Sequence, residues 1–571
     1  MPYRSSVVFP QSVASGDPAP DGALLWTRVE PSPTGPVTVA WDIARDASMR
    51  DVVAGGHAVA GAERDWTVKV RARSPALEPA TFYWYRFRAL GTSTRVGRFK
   101  TLPDPGAPLD RLRLGYVSCQ DYTSGRFTAL RELAAVDVDY VVHLGDYIYE
   151  TVGDPDFQNR GPRDRRLKPP DGRLRAETLA DYRWLYRTYR ADPDLQRLHE
   201  RHTVIAIWDD HEFANDGYGI HDTDSADETA NADPRRRSAA SQAWSEYLPA
   251  DIAFRPEASP TEQIRIYRSF AFGDLAELAL TDERLYRDGP PCGLLQSQRY
   301  ATPGCPGQHA PDRTMLGVDQ RAWLIERLTT STRRWKLWGN ETMLMPFRLP
   351  GWLARRLHPH DGDMPVLDEV YVNLDQWDGY QAERAAVTAA LSAVDGLVAL
   401  TGDLHSFISG TLRAPDGREV ATCLMVGSAT SANLAELFAG RTLPSLPLPL
   451  GALVRAANPH LSYVNSSTHG FNVLDIDHRR LRCRMTAVSG VRAAWAFTWP
   501  LHTVDVVHPA GLNDAVPRLL GRLQASSVHG NSNQRDRQTA EPGRSSKGPP
   551  APAPHRLDAP PDAGRSRPPQ R

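Results

Sequence analysis

The sequence contains few cysteines, no long apolar run and almost no excess of charge of either sign. Five cysteines among 571 residues are too few for a disulfide-rich scaffold, and the odd number leaves at least one thiol unpaired. No apolar stretch reaches the length of a membrane-spanning helix. The formal net charge of -1 gives no general attraction to nucleic acids or acidic membranes, and no specific nucleic-acid-binding motif occurs. Residues 1–10 lack the features of a signal peptide, so the sequence itself predicts no export.

Three of the cysteines allow a closer prediction. Cys292 and Cys305 flank a loop bounded by proline and glycine, which would permit a disulfide in an oxidising compartment. Two reduced surface thiols fit the same loop almost as well. Cys423 lies in the apolar run ATCLMVG, and we expect it to be a buried, unreactive thiol.

The N-terminal region, residues 8–103, has the pattern of an all-β sandwich. Segments such as Val37–Ile43 and Trp66–Ala72 alternate apolar with small or polar residues, as half-buried strands do. A tyrosine near the start of a later strand follows a Leu-x-Pro turn, which resembles the tyrosine corner of immunoglobulin-like and fibronectin-like domains. The stretch LPDPGAP, residues 102–108, is predicted to be a linker.

Residues 109–523 alternate between strand-like and helix-like segments, which predicts an α/β domain with sheets flanked by helices. Phe127–Leu133 is predicted to be the first crossover helix. Glu177–Arg190 is predicted to be a longer amphipathic helix whose tyrosines pack in the core. Residues 524–571 are rich in Ser, Pro, Arg and Gly with almost no aliphatic side chains, and we predict a disordered tail there.

Five short apolar segments resemble buried parallel strands and end in residues that can bind metal or transfer protons. The clearest runs from Val141 to Leu144 and passes directly into Gly145 and Asp146. A single Gly-Asp pair is more often a simple turn, but the repetition favours a site, because a parallel sheet places its strand ends along one edge. The other four segments, 112–117, 204–208, 335–338 and 397–400, end in Ser118-Cys119-Gln120, Asp209-Asp210-His211, Gly339-Asn340-Glu341 and Gly402-Asp403-Leu404-His405.

In this order the motifs resemble those of the calcineurin-like metallophosphoesterases. The spellings SCQ, GDYIYE, WDDHEFAND, GNE and GDLHSF resemble the PhoD family of alkaline phosphatase/phosphodiesterases, and the resemblance covers most of residues 8–490. It implies an enzyme that hydrolyses phosphate mono- and diesters at neutral to alkaline pH, by attack of a metal-bound hydroxide, and releases phosphate. It also implies a monomer in the cell envelope or secreted, acting on small phosphate esters, phospholipids or teichoic-acid-like diesters.

The resemblance assigns a first group of metal ligands. Asp146, in the GDxxY motif, corresponds to the carboxylate that bridges two ions. Cys119, Tyr149 and His405 fall at the family's Fe(III) positions. Thiolate and phenolate are strongly donating anions that stabilise Fe(III) over Fe(II), so the resemblance implies iron here.

A second group of ligands is rich in oxygen. Asp210, Asn340 and Asp403 stand where many metallophosphoesterases have Asn, His and His. This exchange of nitrogen for oxygen favours Ca²⁺, as one or two ions, over Zn²⁺ or Mn²⁺.

Four further residues are predicted to act beside the metals. His211 corresponds to the histidine of the GNH motif and is predicted to protonate the leaving group or to bind a phosphoryl oxygen. Asp209 is predicted to orient His211 or to bind calcium, and Asn215 to support the ligands from behind. Arg237 matches a family position that approaches the bound phosphate.

Two other functions fit parts of the sequence. A phospholipase D-type phosphodiesterase would keep every metal ligand and differ only at the rim of the pocket. A non-catalytic protein that binds cell wall or carbohydrate is conceivable from the N-terminal sandwich alone. The intact set of predicted ligands argues against this second alternative.

Overall fold

The structure is a computed structural model that describes residues 7–509 apart from 31–34, 155–157, 159–160, 353–368 and 440–449. These described residues belong to one packed unit. The predicted tail, residues 524–571, lies outside them.

The described strands, in chain order, are β1 Val13–Ala19, β2 Gly22–Arg28, β3 Val37–Ala44, β4 Val52–Ala60, β5 Thr67–Arg73, β6 Phe82–Ala89, β7 Thr92–Ser93, β8 Gly97–Lys100, β9 Arg111–Val117, β10 Tyr140–Leu144, β11 Thr203–Ile207, β12 Arg268–Phe272, β13 Ala276–Leu280, β14 Tyr300–Thr302, β15 Trp335–Gly339, β16 Arg348–Pro350, β17 Glu369–Asn373, β18 Leu397–Thr401, β19 Phe407–Arg413, β20 Glu419–Met425, β21 Leu461–Asn465, β22 His469–Asp477, β23 Arg480–Val488 and β24 Thr498–Val507.

The described α-helices are α1 Thr128–Ala135, α2 Leu179–Arg190, α3 Pro193–Arg201, α4 Glu228–Asn231, α5 Pro234–Tyr247, α6 Gln296–Arg299, α7 Val318–Thr330, α8 Gln381–Leu391, α9 Leu434–Ala439 and α10 Leu450–Ala457. Both predicted helices are confirmed as α1 and α2, with starts shifted by one or two residues. Among the residues that the structure describes, no helix combines the length and apolar character that crossing a membrane requires.

The strands predicted to carry functional residues belong to two different sheets. The first sheet has nine strands in the order β24-β23-β22-β9-β10-β11-β1-β2-β5, with β9, β10 and β11 parallel. The second has seven strands in the order β12-β13-β15-β18-β20-β19-β21, with β13, β15, β18 and β20 parallel. All five predicted strands are confirmed, but the expectation that one sheet carries all five ends is wrong.

The two large sheets pack face to face. Leu144 of β10 shares one buried core with Leu337 of β15 and Leu400 of β18, and each fully buried leucine contributes about 1.5–3 kcal/mol of transfer free energy. The hydroxyl of Tyr116 in β9 donates a 2.8 Å hydrogen bond to the carbonyl of Leu424 in β20, which joins the sheets directly. This packing brings strand ends from both sheets to the same place.

The N-terminal region is all-β, as predicted. Strands β3, β4, β6, β7 and β8 form a five-stranded sheet. Val13 and Leu25, from β1 and β2, share a buried core with Val39, Tyr85 and Phe87 of this sheet. Because β1, β2 and β5 also extend the nine-stranded sheet, one layer of the sandwich is continuous with the α/β region. The domain boundary between residues 103 and 109 stays a prediction.

Two local contacts fix this arrangement. The backbone N–H of Glu78 donates a 2.8 Å hydrogen bond to the hydroxyl of Tyr83, as in a tyrosine corner. The immunoglobulin-like classification nevertheless stays a prediction. Strand β1 pairs in parallel with β11, and a Cβ on Gly16 would lie 2.0 Å from the carbonyl oxygen of Pro249. Only glycine therefore fits at this crossing.

Helix α2 has the start and the buried face that its sequence predicts. Thr178 and Asp181 form a capping box that begins α2. The predicted core tyrosines of this helix, Tyr182, Tyr186 and Tyr189, are buried, so core packing is confirmed for them.

A smaller sheet of three strands, in the order β14-β17-β16, lies in the second half of the chain. Its first strand, β14, lies within a segment closed by a disulfide between Cys292 and Cys305, whose Cα atoms are 5.7 Å apart. Of the two alternatives left open by the sequence, the structure has the disulfide. Cys423 is buried and unpaired, as predicted.

Candidate metal centre

The loops after the five predicted strands converge on one buried cluster of possible metal ligands. In each of three overlapping groups, the ligand atoms lie within 4.8 Å of one another. These groups are Cys119, Asp146 and His405; Asp146, Asp210 and His211; and Asp209, Asp210 and Asp403. A fourth such group is Asp210, Asp216 and Asp375. Asp146 belongs to two of the four groups and Asp210 to three, so both occupy the middle of the cluster.

The backbone of four predicted ligands is in the left-handed region. The φ angles are 58° at Cys119, 55° at Asp146, 63° at Asp403 and 50° at His405. Each costs about 1–2 kcal/mol for a residue with a side chain, and such conformations concentrate at functional sites. Gly145 has φ 84°, and a Cβ there would lie 2.3 Å from the backbone nitrogen of Asp209. The Gly-Asp turn thus lets two strand ends approach closely.

One side of the cluster carries sulfur, phenol and imidazole. The hydroxyl of Tyr149 donates a 2.7 Å hydrogen bond to Asp146 Oδ2 and lies 3.4 Å from His405 Nε2. His405 Nδ1 is 2.7 Å from the carbonyl oxygen of Ala432. The carbonyl requires a proton on Nδ1, which leaves Nε2 with its lone pair toward the cluster. Ser431 Oγ donates to the Tyr149 hydroxyl at 2.7 Å.

Burial disfavours the free anionic forms of the thiol and the phenol, and a bound cation would stabilise those forms. Burial, with the charge of Asp146 added, raises the pKa of the Cys119 thiol and of the Tyr149 phenol well above their ordinary values. Burial lowers the pKa of His405 to about 4, so its imidazole is neutral and able to coordinate. A thiol, a phenol and a carboxylate packed together in this way gain most from a metal ion that displaces their protons.

The opposite side of the cluster is rich in carboxylates. Arg284 Nε donates a 2.5 Å hydrogen bond to Asp209 Oδ1, and its terminal nitrogen Nη2 lies 3.2 Å from Asp403 Oδ2. Asp209 Oδ2 and Asp210 Oδ1 are buried without a hydrogen-bond partner. Burial raises the pKa of Asp403 to about 7 and that of Asp209 well above its ordinary value. Carboxylate oxygens that repel one another and lack hydrogen bonds are what a hard cation would satisfy.

Asn340, the predicted amide ligand, is held rigidly. Its Oδ1 accepts a 2.7 Å hydrogen bond from the indole of Trp377, and its Nδ2 donates a 2.5 Å hydrogen bond to the carbonyl of Thr342. The carbonyl oxygen retains a second lone pair for a cation. Its role as a ligand stays a prediction.

His211 is placed by a carboxylate that the sequence did not indicate. Its Nδ1 lies 2.7 Å from Glu150 Oε2, and its ring packs 4.0 Å from that of Tyr149. Burial opposes the charged imidazole, but Glu150, Asp210 and Asp146 together raise the pKa of His211 well above its ordinary value. The ring is therefore able to act as a proton donor.

The three predicted auxiliary residues differ in their placement. Asp209 lies inside the cluster. Asn215 lies behind His211, where its backbone N–H donates a 2.9 Å hydrogen bond to Glu150 Oε1. Arg237 is buried with its guanidinium 4.4 Å above the Trp208 ring. Among the described residues no hydrogen bond or ion pair joins Arg237 to the carboxylates, and its Nε and Nη2 are buried without a hydrogen-bond partner. Its approach to phosphate stays a prediction.

Sequence reasoning missed Arg284, Glu150 and Ser431. Arg284 follows β13 in Thr281-Asp282-Glu283-Arg284, a strand end of the same kind as the five that were recognised, and the same pattern would have found it. Glu150 lies four positions after Asp146 in a motif already singled out. Ser431 has no such signal, because only the tertiary fold brings it to Tyr149.

The strand ends of two packed, mixed β-sheets bring thiol, phenol, imidazole and carboxylate ligands together. This combination defines a protein of the metallophosphoesterase class. The profile of the PhoD-like phosphatase family matches residues 114–485, and that of the PhoD-like phosphatase N-terminal domain matches residues 2–103. The chain therefore belongs to the PhoD-like phosphatase family, and the resemblance seen in its motifs is confirmed.

Two relatives agree with this assignment. The chain is similar to alkaline phosphatase D of Bacillus subtilis (strain 168), with 33% identity over 418 residues, which is 71% of this chain and 66% of that protein. The match thus spans slightly less than two thirds of the relative's own length. A solved structure described as "Structure of PhoD" has a TM-score of 0.73 and 27% identity, and the match covers 89% of this chain and 92% of that one.

Proposed function

We propose that this protein is a metal-dependent phosphoesterase that hydrolyses phosphate mono- and diesters at neutral to alkaline pH. The observation that carries the proposal is the convergence of Cys119, Asp146 and His405 within 4.8 Å. Tyr149 is hydrogen-bonded to the same Asp146 at 2.7 Å. Family membership and the similarity to alkaline phosphatase D support the reaction class.

The ligand sets favour two different metals. Cys119, Tyr149 and His405, with Asp146, would hold Fe(III), because anionic sulfur and phenolate donors stabilise the trivalent ion. The oxygen-rich set, which consists of Asp210, Asn340 and Asp403, would hold one or two Ca²⁺ ions. Asp146 has ligand atoms within 4.8 Å of members of both sets. When bound, the ions would activate water and neutralise charge on the phosphoryl group.

The chain's own residues supply orientation and a proton. Glu150 holds the His211 ring through Nδ1 and so directs Nε2, from which His211 would donate a proton to a leaving alkoxide. Arg284 binds both Asp209 and Asp403 and so fixes the carboxylates while balancing part of their charge. Arg284, which follows the end of β13, therefore positions Asp209 and Asp403.

The test compares hydrolysis of bis-p-nitrophenyl phosphate and p-nitrophenyl phosphate, with and without calcium, by the purified protein. We expect turnover of at least one ester that requires calcium and that is lost in Asp146→Asn. A matched control is Asp416→Asn, which changes an exposed turn carboxylate that pairs with Arg418. Turnover that survives Asp146→Asn, or no turnover of either ester with both metals supplied, would contradict the proposal.

A further inference from the structure

The disulfide-closed loop, residues 292–305, contacts the cluster through one carboxylate. Tyr300 donates a hydrogen bond of 2.5 Å from its hydroxyl to Asp216 Oδ2, and Arg299 forms an ion pair with the same oxygen. Arg299 is buried, with 2% of its surface exposed. Two adjacent side chains of one covalently closed loop therefore hold the carboxylate of Asp216, whose backbone carbonyl accepts a separate 2.6 Å hydrogen bond from Arg287.

Asp216 passes this restraint to a predicted ligand. Its backbone N–H donates a 2.5 Å hydrogen bond to Asp210 Oδ2. Its φ angle of 53° is a left-handed conformation that its surroundings must maintain. If Asp216 moves, Asp210 loses the contact that sets the direction of its carboxylate.

The same loop also supports the other two oxygen ligands. The backbone carbonyl of Arg299 accepts a 2.8 Å hydrogen bond from Leu374 N–H, and Tyr300 in β14 pairs with the end of β17. The chain then reaches the cluster through its next two side chains. Gln376 Nε2 donates a 2.8 Å hydrogen bond to Asp403 Oδ2. The indole of Trp377 donates a 2.7 Å hydrogen bond to Asn340 Oδ1.

The sulfur and phenol side of the cluster has separate supports. Tyr149 is bound by Ser431, and His405 is bound by the carbonyl of Ala432. Cys119 Sγ lies 3.2 Å from the hydroxyl of Ser118. All these supports lie outside residues 292–305, so changes in the loop act on one set of ligands.

We infer that the Cys292–Cys305 loop is a positioning element for the oxygen-rich ligands, and that opening its disulfide weakens calcium binding while iron stays bound. The inference rests on the proposed function, because it takes Asp210, Asn340 and Asp403 as calcium ligands. It adds a regulatory property: the enzyme is fully assembled only in an oxidised environment.

The redox step is a thiol–disulfide exchange with a small dithiol. The dithiol gives two electrons and two protons, the Sγ–Sγ bond breaks, two cysteine thiols form, and the dithiol closes to its own cyclic disulfide. Cys292 and Cys305 are both partly exposed, so the reagent can reach them. The opened loop then has more freedom, and Arg299 and Tyr300 spend less time on Asp216.

The test measures calcium binding through the melting temperature of the iron-loaded protein, so that it does not depend on turnover. Calcium is titrated against the unchanged chain, Cys292→Ser/Cys305→Ser and Tyr300→Phe. Tyr371→Phe is the matched control, because Tyr371 lies on β17 of the same small sheet but its hydroxyl contacts Arg348. Visible absorbance reports the iron in the untreated samples. Metal analysis reports it in the dithiol-treated samples, because the dithiol reduces Fe(III) and bleaches the absorbance.

We expect the calcium concentration for half-maximal stabilisation to rise about tenfold or more in the double variant, and severalfold in Tyr300→Phe, which removes one hydrogen bond to a charged group. Tyr371→Phe should match the unchanged chain, and iron absorbance should be equal in all untreated samples. Adding the dithiol should raise the midpoint of the unchanged chain and leave that of the double variant where it is.

The outcomes separate this inference from the proposed function. If calcium does not stabilise the unchanged chain, the calcium assignment fails and the inference with it. If calcium stabilises every variant at the same concentration, or if iron is lost together with calcium, the inference alone is overturned. Where the double variant does not fold, the dithiol titration of the unchanged chain tests the disulfide, and Tyr300→Phe tests the contact with Asp216; an unchanged calcium midpoint in either experiment overturns the inference.

Discussion

The imidazole Nδ1 of His211 lies 2.7 Å from Oε2 of Glu150, at the edge of the metal cluster. The other oxygen of Glu150 accepts the backbone N–H of Asn215, four residues after His211. One carboxylate therefore fixes both the histidine ring and the loop that carries it. A ring held through Nδ1 in this way presents its other nitrogen in a set direction, as a general acid must.

His211→Ala should impair substrates according to their leaving groups. With alkyl phosphates we expect kcat/KM to fall about 10²–10⁴-fold, because a poor alkoxide leaving group needs a proton in the transition state. With p-nitrophenyl esters the loss should be less than about tenfold, since nitrophenolate departs without protonation.

Steady-state kinetics with both kinds of ester check this prediction. His460→Ala is a suitable control, because His460 contacts the carbonyl of Pro346, outside the cluster. Equal losses for both esters would reassign His211 to holding the phosphate or supporting a metal ligand.

Tyr149→Phe should change the colour of the protein. If Tyr149 and Cys119 bind Fe(III), the purified protein absorbs visible light by charge transfer from these ligands to the metal. Removing the phenol oxygen should shift or bleach that absorbance. Tyr147→Phe is the matched control, because Tyr147 is two positions away and its hydroxyl contacts His199. A colourless, iron-free protein with full activity would rule out the iron assignment.

Chelation should separate the two metals. A calcium chelator should abolish turnover while most of the iron remains, because flexible oxygen ligands release their ion more readily than a thiolate and phenolate set does. Metal analysis after chelation and gel filtration, with activity restored by added calcium, checks this. Equal loss of both metals would show that the two ligand sets are not independent.

The strand ends could be predicted because each combines two local signals. In β10, an apolar run with β-branched residues passes directly into Gly145-Asp146, and a strand of this kind must be buried and must end where polarity begins. The division into two sheets could not be predicted. Nothing local in β15 or β18 says which strand is its neighbour, since strand pairing is decided by the packing of the whole core.

The residues that hold the ligands in place could not be predicted from local sequence either. Ser431 and Tyr149 are separated by 282 positions, and their hydrogen bond depends on how the second sheet packs on the first. Glu150 was within reach, since it lies beside a recognised ligand, but its partner His211 is 61 positions away. The motifs therefore indicated which ligand residues come together, and the structure adds the hydrogen-bond partners that hold these ligands in place.

Truncation after residue 523 should have almost no effect. The sequence beyond that point has too few aliphatic residues to form a core, and it contains none of the predicted ligands. We expect the melting temperature and the activity of chain 1–523 to equal those of the full chain. A lower melting temperature or altered kinetics would show that the tail packs on the enzyme.

Deletion of residues 1–106 should be far more damaging, although it removes none of the predicted metal ligands. Strand β1 is hydrogen-bonded in parallel to β11, so its loss turns a central strand of the nine-stranded sheet into an exposed edge. The deletion also removes Trp26, which is fully buried against the α/β region and donates a 2.8 Å hydrogen bond to the carbonyl of Glu246 in α5. Loss of a buried tryptophan alone costs about 3–5 kcal/mol.

We therefore expect the fragment that begins at Ala107 to be poorly soluble or to melt well below the full chain, with any folded fraction still binding iron. The comparison needs melting curves, soluble yield and iron content of both chains. Trp26→Phe in the full chain is the graded control, because it keeps β1 paired while removing the indole hydrogen bond, and its melting temperature should fall between the two. A fragment as stable and active as the full chain would show that residues 1–106 form an independent module, and would favour a role for them in binding substrate or cell wall.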